Sequence, residues 1–203
     1  MTAAEQVVAT LDLATKVRLL SGRGFWVLEP VPEADLAGIV VSDGPHGLRC
    51  QAGSGDHLGL APAAPATCFP PAVLLGSTWD ADLAHQVGAA IGLEARAQGV
   101  SVVLGPGLNL KRHPAGGRSF EYYAEDPVLS GRLAAANVRG IQSQGVGASV
   151  KHFAVNNQET DRMRRDSQVD MRTLREVYLR GFQKVVTTAK PWTVMCSYNR
   201  VNG

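Results

Sequence analysis

Side chains able to hold or transform a substrate gather at four places: Asp43 and Arg49; Arg118 and Glu121; Lys151, His152 and Glu159; and Tyr198 with Asn199. Three of these groups begin within two residues of the end of an apolar run, Ile39-Val40-Val41, Ala148-Ser149-Val150 and Thr193-Val194-Met195-Cys196. The Arg118 group lies in the loop after Val100-Ser101-Val102-Val103-Leu104. Polar groups at the carboxyl ends of strands are where barrel and open α/β enzymes hold ligands. This inventory suits a polyol, because each sugar hydroxyl both donates and accepts and a ring is oriented by mixed partners around it. An ionised Asp43 can accept from two neighbouring hydroxyls, Lys151 and His152 can contact adjacent ones, and Trp26 or Tyr198 can stack on apolar ring faces. Each group alone also has a plainer role. Arg118–Glu121 fits a structural ion pair, His152 a satisfied core histidine and Asp43 a turn former. Convergence at several strand ends favours the binding role.

Other chemistries find less support. His46, His57, His85, His113 and His152 are scattered without metal-ligand spacing, and no metal or cofactor site is expected. No Gly-x-Ser-x-Gly occurs, and Gly105-Pro106-Gly107 lacks the third glycine of a dinucleotide fingerprint. Gly53-Ser54-Gly55 is a weak phosphate cradle, with no Gly-Lys-Ser/Thr after it. The 203 residues, 45% hydrophobic with net charge +2, fit one globular domain. Arg162, Arg164 and Arg165 are flanked by Asp161 and Asp166, so this cluster reads as a solvated loop and no nucleic-acid partner is expected. The three cysteines, Cys50, Cys68 and Cys196, have no metal spacing and suit reduced thiols. The N-terminus lacks a basic stretch followed by an apolar one, and no apolar run approaches ~18 residues. No membrane partner and a cytoplasmic location are therefore expected.

The elements that must position these groups alternate. A helix is expected over 4–20, a strand at 39–41, a turn over 42–49 and a long loop over 51–72. Val73-Leu74-Leu75-Gly76 reads as a short strand. A helix capped by Ser77 or Thr78 then runs to Gln98, with Leu83, Val87, Ile91, Leu93 and Ala95 on its apolar face and Gly99 closing it. A strand at 100–104, a helix from Asp126-Pro127 to Gln144 and a strand at 146–150 follow. Asp170 caps the next helix, which carries Leu174, Val177, Tyr178, Phe182 and Val185 on one face, and a last strand covers 193–196. Strands alternating with helices predict a mostly parallel sheet of four or five βα units. A complete (β/α)8 barrel needs about 250 residues. The fold class expected is α/β, a TIM-barrel-like (β/α)8 domain incomplete at its C-terminus and occupying residues 1–203 as a single partial domain.

Several long segments carry a resemblance. They are Ser42-Asp43-Gly44-Pro45-His46-Gly47-Leu48-Arg49, Gly105-Pro106-Gly107-Leu108-Asn109 and Gly117-Arg118-Ser119-Phe120-Glu121-Tyr122-Tyr123-Ala124-Glu125-Asp126-Pro127. Lys151-His152-Phe153-Ala154-Val155-Asn156-Asn157-Gln158-Glu159 and Val194-Met195-Cys196-Ser197-Tyr198-Asn199-Arg200-Val201-Asn202-Gly203 complete them. In this order they resemble glycoside hydrolase family 3, the β-glucosidase and β-xylosidase group, over nearly the whole chain. The resemblance implies that Asp43, Arg118, Lys151 and His152 hold hydroxyls of a non-reducing terminal sugar. It also implies that Arg49, Met195 and Tyr198 line the same pocket. The implied reaction is retaining hydrolysis of terminal β-D-glucosyl or related residues, with a β-glucoside or oligosaccharide as partner. The family's nucleophile lies in a Ser-Asp-Trp-like motif on a later strand and its acid/base in a following domain. Both positions are expected beyond Gly203, so no catalytic carboxylate is assigned here and the later strands and second domain are expected to be absent. Two other readings are a non-catalytic sugar-binding chain and an unrelated barrel enzyme acting on phosphorylated metabolites through Lys111, Arg112 and the glycine-rich loops.

Overall fold

The computed structural model describes residues 1–51, 60 and 62–203. Its strands, in chain order, are β1 (Val41–Ser42), β2 (Val102–Val103), β3 (Gly147–Phe153), β4 (Asp166–Ser167), β5 (Thr193–Cys196) and β6 (Arg200–Val201). Four of them form one parallel sheet in the order β1-β2-β3-β5, and β4 pairs with β6 separately. The register sets Val41 beside Val102, Val102 beside Gly147 and Val150 beside Val194. Between Val150↔Val194 and Phe153↔Cys196 the β3–β5 register shifts. Lys151 and His152 there oppose Met195 alone, which is how a β-bulge re-aims side chains. The polar motif thus sits at an irregularity of the carboxyl end of β3.

Helices fill the crossovers. The helices α1 (Ala3–Thr10) and α2 (Leu13–Leu19) precede β1. Between β1 and β2 come α3 (Ala72–Thr78) and α4 (Ala81–Ala97), and α5 (Pro127–Gln142) joins β2 to β3. The path from β4 to β5 runs through α6 (Met171–Thr173), a π-helical turn at Leu174–Tyr178 and α7 (Arg180–Ala189). Aspartates start these helices: Asp80, Asp126 and Asp170 each accept backbone N–H bonds in the first turn. Ile91, Leu133, Val138, Ile141, Val150 and Val185 are fully buried between helices and sheet. Each such side chain contributes about 1.5–3 kcal/mol on leaving water. The small residues Gly147-Ala148-Ser149 let β3 be covered on both faces, as parallel sheets require. Close approach of α4 to α5 needs Gly88 and Gly140: a Cβ on them would fall 2.3 Å from the Asn137 carbonyl and 2.1 Å from the His85 carbonyl.

The parallel α/β arrangement, the three later strands and the Asp126 and Asp170 caps agree with the sequence. Five expectations need correction. The 4–20 segment is two helices, because Leu11 is extended and the Asp12 carboxylate caps a new helix through the Thr15 N–H at 2.7 Å. Residues 73–76 lie within α3 and not in a strand. A short apolar run does not distinguish the two, and Gly76 allows the helix to sit against the Tyr123 carbonyl. Asp80, not Ser77 or Thr78, caps α4, since Trp79 turns left-handed (φ 58°) between the two helices. Leu93 is 56% exposed, and the buried face of α4 uses Gly88 and Gly92 instead. The β4–β6 pair was not expected from the polar 160–169 loop. The Gly53-Ser54-Gly55 signal and most of the 51–72 loop's first half lie outside the described residues. Cys50, Cys68 and Cys196 are free, and no helix among the described residues is long and apolar enough to cross a membrane.

Candidate functional site

The turn after β1 doubles back on itself, with the Arg49 N–H donating to the Asp43 carbonyl at 2.9 Å. Gly44 and Gly47 adopt φ of 125° and 134°, and a Cβ on either would strike a backbone carbonyl at 2.1 Å. This fold of the backbone aims Asp43 at the end of β3. There Lys151, 3% exposed, places Nζ 2.9 Å from Asp43 Oδ1 and 3.2 Å from Glu121 Oε1. Glu121 belongs to the 3-10 turn Ser119–Glu121, and Arg118 Nε donates to its Oε2 at 2.6 Å. A second Arg118 nitrogen contacts the same oxygen. The result is an alternating row, Asp43⁻–Lys151⁺–Glu121⁻–Arg118⁺, with no net charge. Burying a lysine without such partners would be strongly unfavourable.

The row shifts the titration of its two end members. Burial alone would raise the Asp43 carboxyl, but the Lys151 ammonium, its hydrogen bond and the Gly44 N–H hold it below the usual carboxylate value. Burial alone would lower Arg118, yet Glu121, Tyr122 and Glu159 raise it above its usual value. Asp43 and Arg118 face a cavity of about 460 Å³ whose wall also includes His46, Arg49, Cys68 and Glu121. Asp43 keeps 41% of its side chain open. His46 stands edge-on to Phe120, with burial the main cause of its lowered pKa and neither ring nitrogen partnered.

Asn109 brackets the next residue by both ends of its amide. Its Oδ1 accepts from the His152 N–H at 2.7 Å and its Nδ2 donates to the His152 carbonyl at 2.9 Å. The Tyr122 hydroxyl lies 3.3 Å from His152 Nδ1. Burial, and then Arg118, Lys151 and Arg162, push His152 down to about 2, so its ring is neutral. Asn156 donates to the Tyr122 hydroxyl at 3.1 Å and to Glu159 Oε1 at 3.0 Å. Together these groups offer fixed anionic, cationic and neutral partners at one end of the sheet, which is what a ligand with many hydroxyls requires.

Of the seven residues singled out from sequence, the structure joins Asp43, Arg118 and Lys151 in one ion-pair row. His152 adjoins it. Arg49 is an exposed rim residue of the Asp43 cavity, and Met195 is half-buried opposite Lys151 and His152 on β5. Tyr198 stands apart, 60% exposed, with the Arg162 guanidinium 4.9 Å from its ring centre. Sequence reasoning missed Glu121 as the lysine's buried counterion, and missed Asn109, Tyr122, Asn156 and Arg162. Two signals were present: Arg118–Glu121 and Glu159–Arg162 both have the i,i+3 spacing of local ion pairs. Nothing local marks Asn109. The loop cations follow a different path: Lys111 donates to the Tyr123 carbonyl, while Arg112 lines a separate cavity of about 850 Å³ with His113, Asn157 and Arg165.

The chain is 49% identical over 199 residues to thermostable β-glucosidase B of Acetivibrio thermocellus, covering 98% of this chain and 26% of that protein. It is 50% identical over 197 residues to an exo-α-(1→6)-L-arabinopyranosidase of Bifidobacterium breve, again covering 26% of it. Its structure matches β-glucosidase 3B from Thermotoga neapolitana in complex with α-D-glucose, with a TM-score of 0.92 and 44% identity over the whole of this chain and 30% of that one. The chain thus spans about a quarter of the length of the curated relatives it matches. With residues 50–203 matching the model for the glycosyl hydrolase family 3 N-terminal domain, a (β/α)8 barrel, the chain belongs to glycosyl hydrolase family 3.

Proposed function

We propose that residues 1–203 form a partial barrel domain holding the terminal-sugar subsite of a retaining β-glucosidase-like enzyme. The observation that carries this is the Asp43–Lys151–Glu121–Arg118 row, of which Asp43, Glu121 and Arg118 line the 460 Å³ cavity and Lys151 lies buried behind them. Asp43 accepts from ring hydroxyls, Lys151 and Arg118 donate to them, and His152 supplies a neutral partner. The subsite extends from Arg49 on the cavity rim to Met195 on β5 and Tyr198 beyond that strand's end. The ligand is a β-glucoside or its oligosaccharide. A retaining mechanism needs two carboxyls about 5–5.5 Å apart. We assign neither to this chain, because Glu121 is sealed between two cations, Asp43 is committed to Lys151 and Glu159 to Arg162 and Asn156. A second substrate class is favoured by the B. breve relative, whose named substrate is an α-L-arabinopyranoside.

Calorimetric titration with glucose, L-arabinose and glucose 6-phosphate tests the proposal. Binding of a neutral sugar that Asp43→Asn abolishes is expected. Preference for the phosphate would overturn the reading. Turnover of an aryl β-glucoside well above that of a Lys151→Ala variant would refute the absence of catalytic carboxylates from this chain.

A further inference from the structure

The polar groups at the ends of β3 and β5 are linked by a relay centred on Glu159. Glu159 Oε2 lies 2.9 Å from Arg162 Nη1, and Arg162 covers the Tyr198 ring at 4.9 Å. Its other oxygen, Oε1, accepts from Asn156 Nδ2 at 3.0 Å. Asn156 also donates to the Tyr122 hydroxyl, which lies 3.3 Å from His152 Nδ1. Tyr122 and Asn156 are buried, so this half of the relay has no water to replace its bonds. A second pair of bonds runs in parallel with it. Ser197 Oγ and Asn199 Nδ2 both donate to the Ala154 carbonyl, at 3.0 and 3.2 Å. The loop bearing Tyr198 is thus fastened to the loop that follows His152.

We infer that Glu159 is a positioning residue that couples the two walls of the site, seating Tyr198 through Arg162 and His152 through Asn156 and Tyr122. The inference rests on the terminal-sugar reading. A carboxylate suits the role because its two oxygens serve one limb each. An ordinary i,i+3 surface ion pair would hold neither wall and contributes little. Glutamine at this position keeps an acceptor for Asn156 but loses the ion pair with Arg162, so it separates the limbs. Leucine removes both.

The test is a glucose titration of the full chain followed by NMR, in the unsubstituted protein, Glu159→Leu, Glu159→Gln, Tyr198→Leu and the Glu159→Gln/Tyr198→Leu double variant. Glu159→Gln is expected to weaken binding about 5-fold, the scale of a partly exposed cation–π contact, and less than about 2-fold once Tyr198 is leucine. The His152 ring ¹⁵N signals report the other limb. They are expected to move in Glu159→Leu and to return in Glu159→Gln, a rescue that a purely structural role would not produce. Losses that multiply independently, or His152 signals that stay fixed in Glu159→Leu, overturn the coupling while leaving the sugar site intact. An unsubstituted chain that binds no sugar overturns the sugar-site reading, and the role given to Glu159 falls with it.

Discussion

Replacing Lys151 by methionine tests the ion-pair row most directly. Methionine keeps most of the aliphatic stem and removes only the ammonium. The two limbs are unequal. Lys151 and Glu121 are each 4% exposed at the side chain, and breaking a buried pair costs about 3–5 kcal/mol. Glu121 retains both Arg118 contacts, which sets this limb at the low end. The Asp43 carboxylate is 41% open to solvent, so its limb adds only ~0–1 kcal/mol. The expected loss is about 3 kcal/mol at neutral pH, from urea midpoints at constant m. The pH dependence gives a second reading. The folded Asp43 carboxyl lies below its ordinary 3.8, so its pairing contributes stability above the unfolded value and loses it as pH falls through the folded one. The Lys151→Met penalty should therefore shrink below about pH 4. A loss under ~1 kcal/mol at neutral pH, or a penalty that grows on acidification, would refute the reasoning.

His152, held down to about 2 against an ordinary 6.5, sets the acid response. The unfolded chain takes up a proton below pH 6.5 that the folded ring refuses, so stability present above that pH declines as pH falls toward 2. His152→Asn should flatten the fall between pH 6.5 and 5, leaving the share due to His46, which burial shifts the same way; equal slopes in urea midpoints would count against this. Gly88→Ala forces a Cβ to 2.3 Å from the Asn137 carbonyl and should cost about 2–3 kcal/mol by calorimetric melting. The open-space control Gly24→Ala should stay within ~0.5 kcal/mol. Asn109→Leu leaves the His152 N–H and carbonyl unpaired and should cost about 3 kcal/mol, with faster hydrogen exchange at the His152 amide.

The chemistry-bearing residue types were legible because they sit where strands end. Lys151 and His152 follow a buried small-residue strand, and Asp43 follows β1. Helix starts were legible where an aspartate precedes a proline or an amphipathic run, as at Asp126 and Asp170. What failed depends on tertiary neighbours. Ala72–Thr78 is helical because Gly76 fits the Tyr123 carbonyl, and an apolar run of four carries no sign of that contact. Leu93 obeys the helical period yet faces outward, since α4 meets α5 along glycines that periodicity does not count as core. Arg118–Glu121 was readable as a local pair, but Glu121 as the partner of Lys151 required knowing that β2 and β3 are neighbours. Asn109 is the extreme case: its amide serves a residue 43 positions away.

The directions of the pKa shifts bear on whether these side chains hold a ligand or act on it. A general acid or base works best with a pKa near the operating pH, which enzymes reach by raising carboxyls or lowering lysines. Asp43 is displaced downward, away from that range, and His152 falls to about 2. Neither exchanges a proton readily near neutrality. The same displacements suit a holder. Over the range where His152 stays neutral and Asp43 ionised, the donors and acceptors that these side chains present do not change. The hydrogen-bond geometry agrees. Asn156 donates to the Tyr122 hydroxyl, leaving that proton for the Asn156 carbonyl or for His152 Nδ1. Donation to Nδ1 keeps the imidazole proton on Nε2, where the ring offers a donor without carrying a charge. A lysine at a strand end first suggests catalysis. Held 2.9 Å from Asp43 and 3.2 Å from Glu121, its ammonium is fixed in place by two carboxylates, an arrangement that suits orienting a partner.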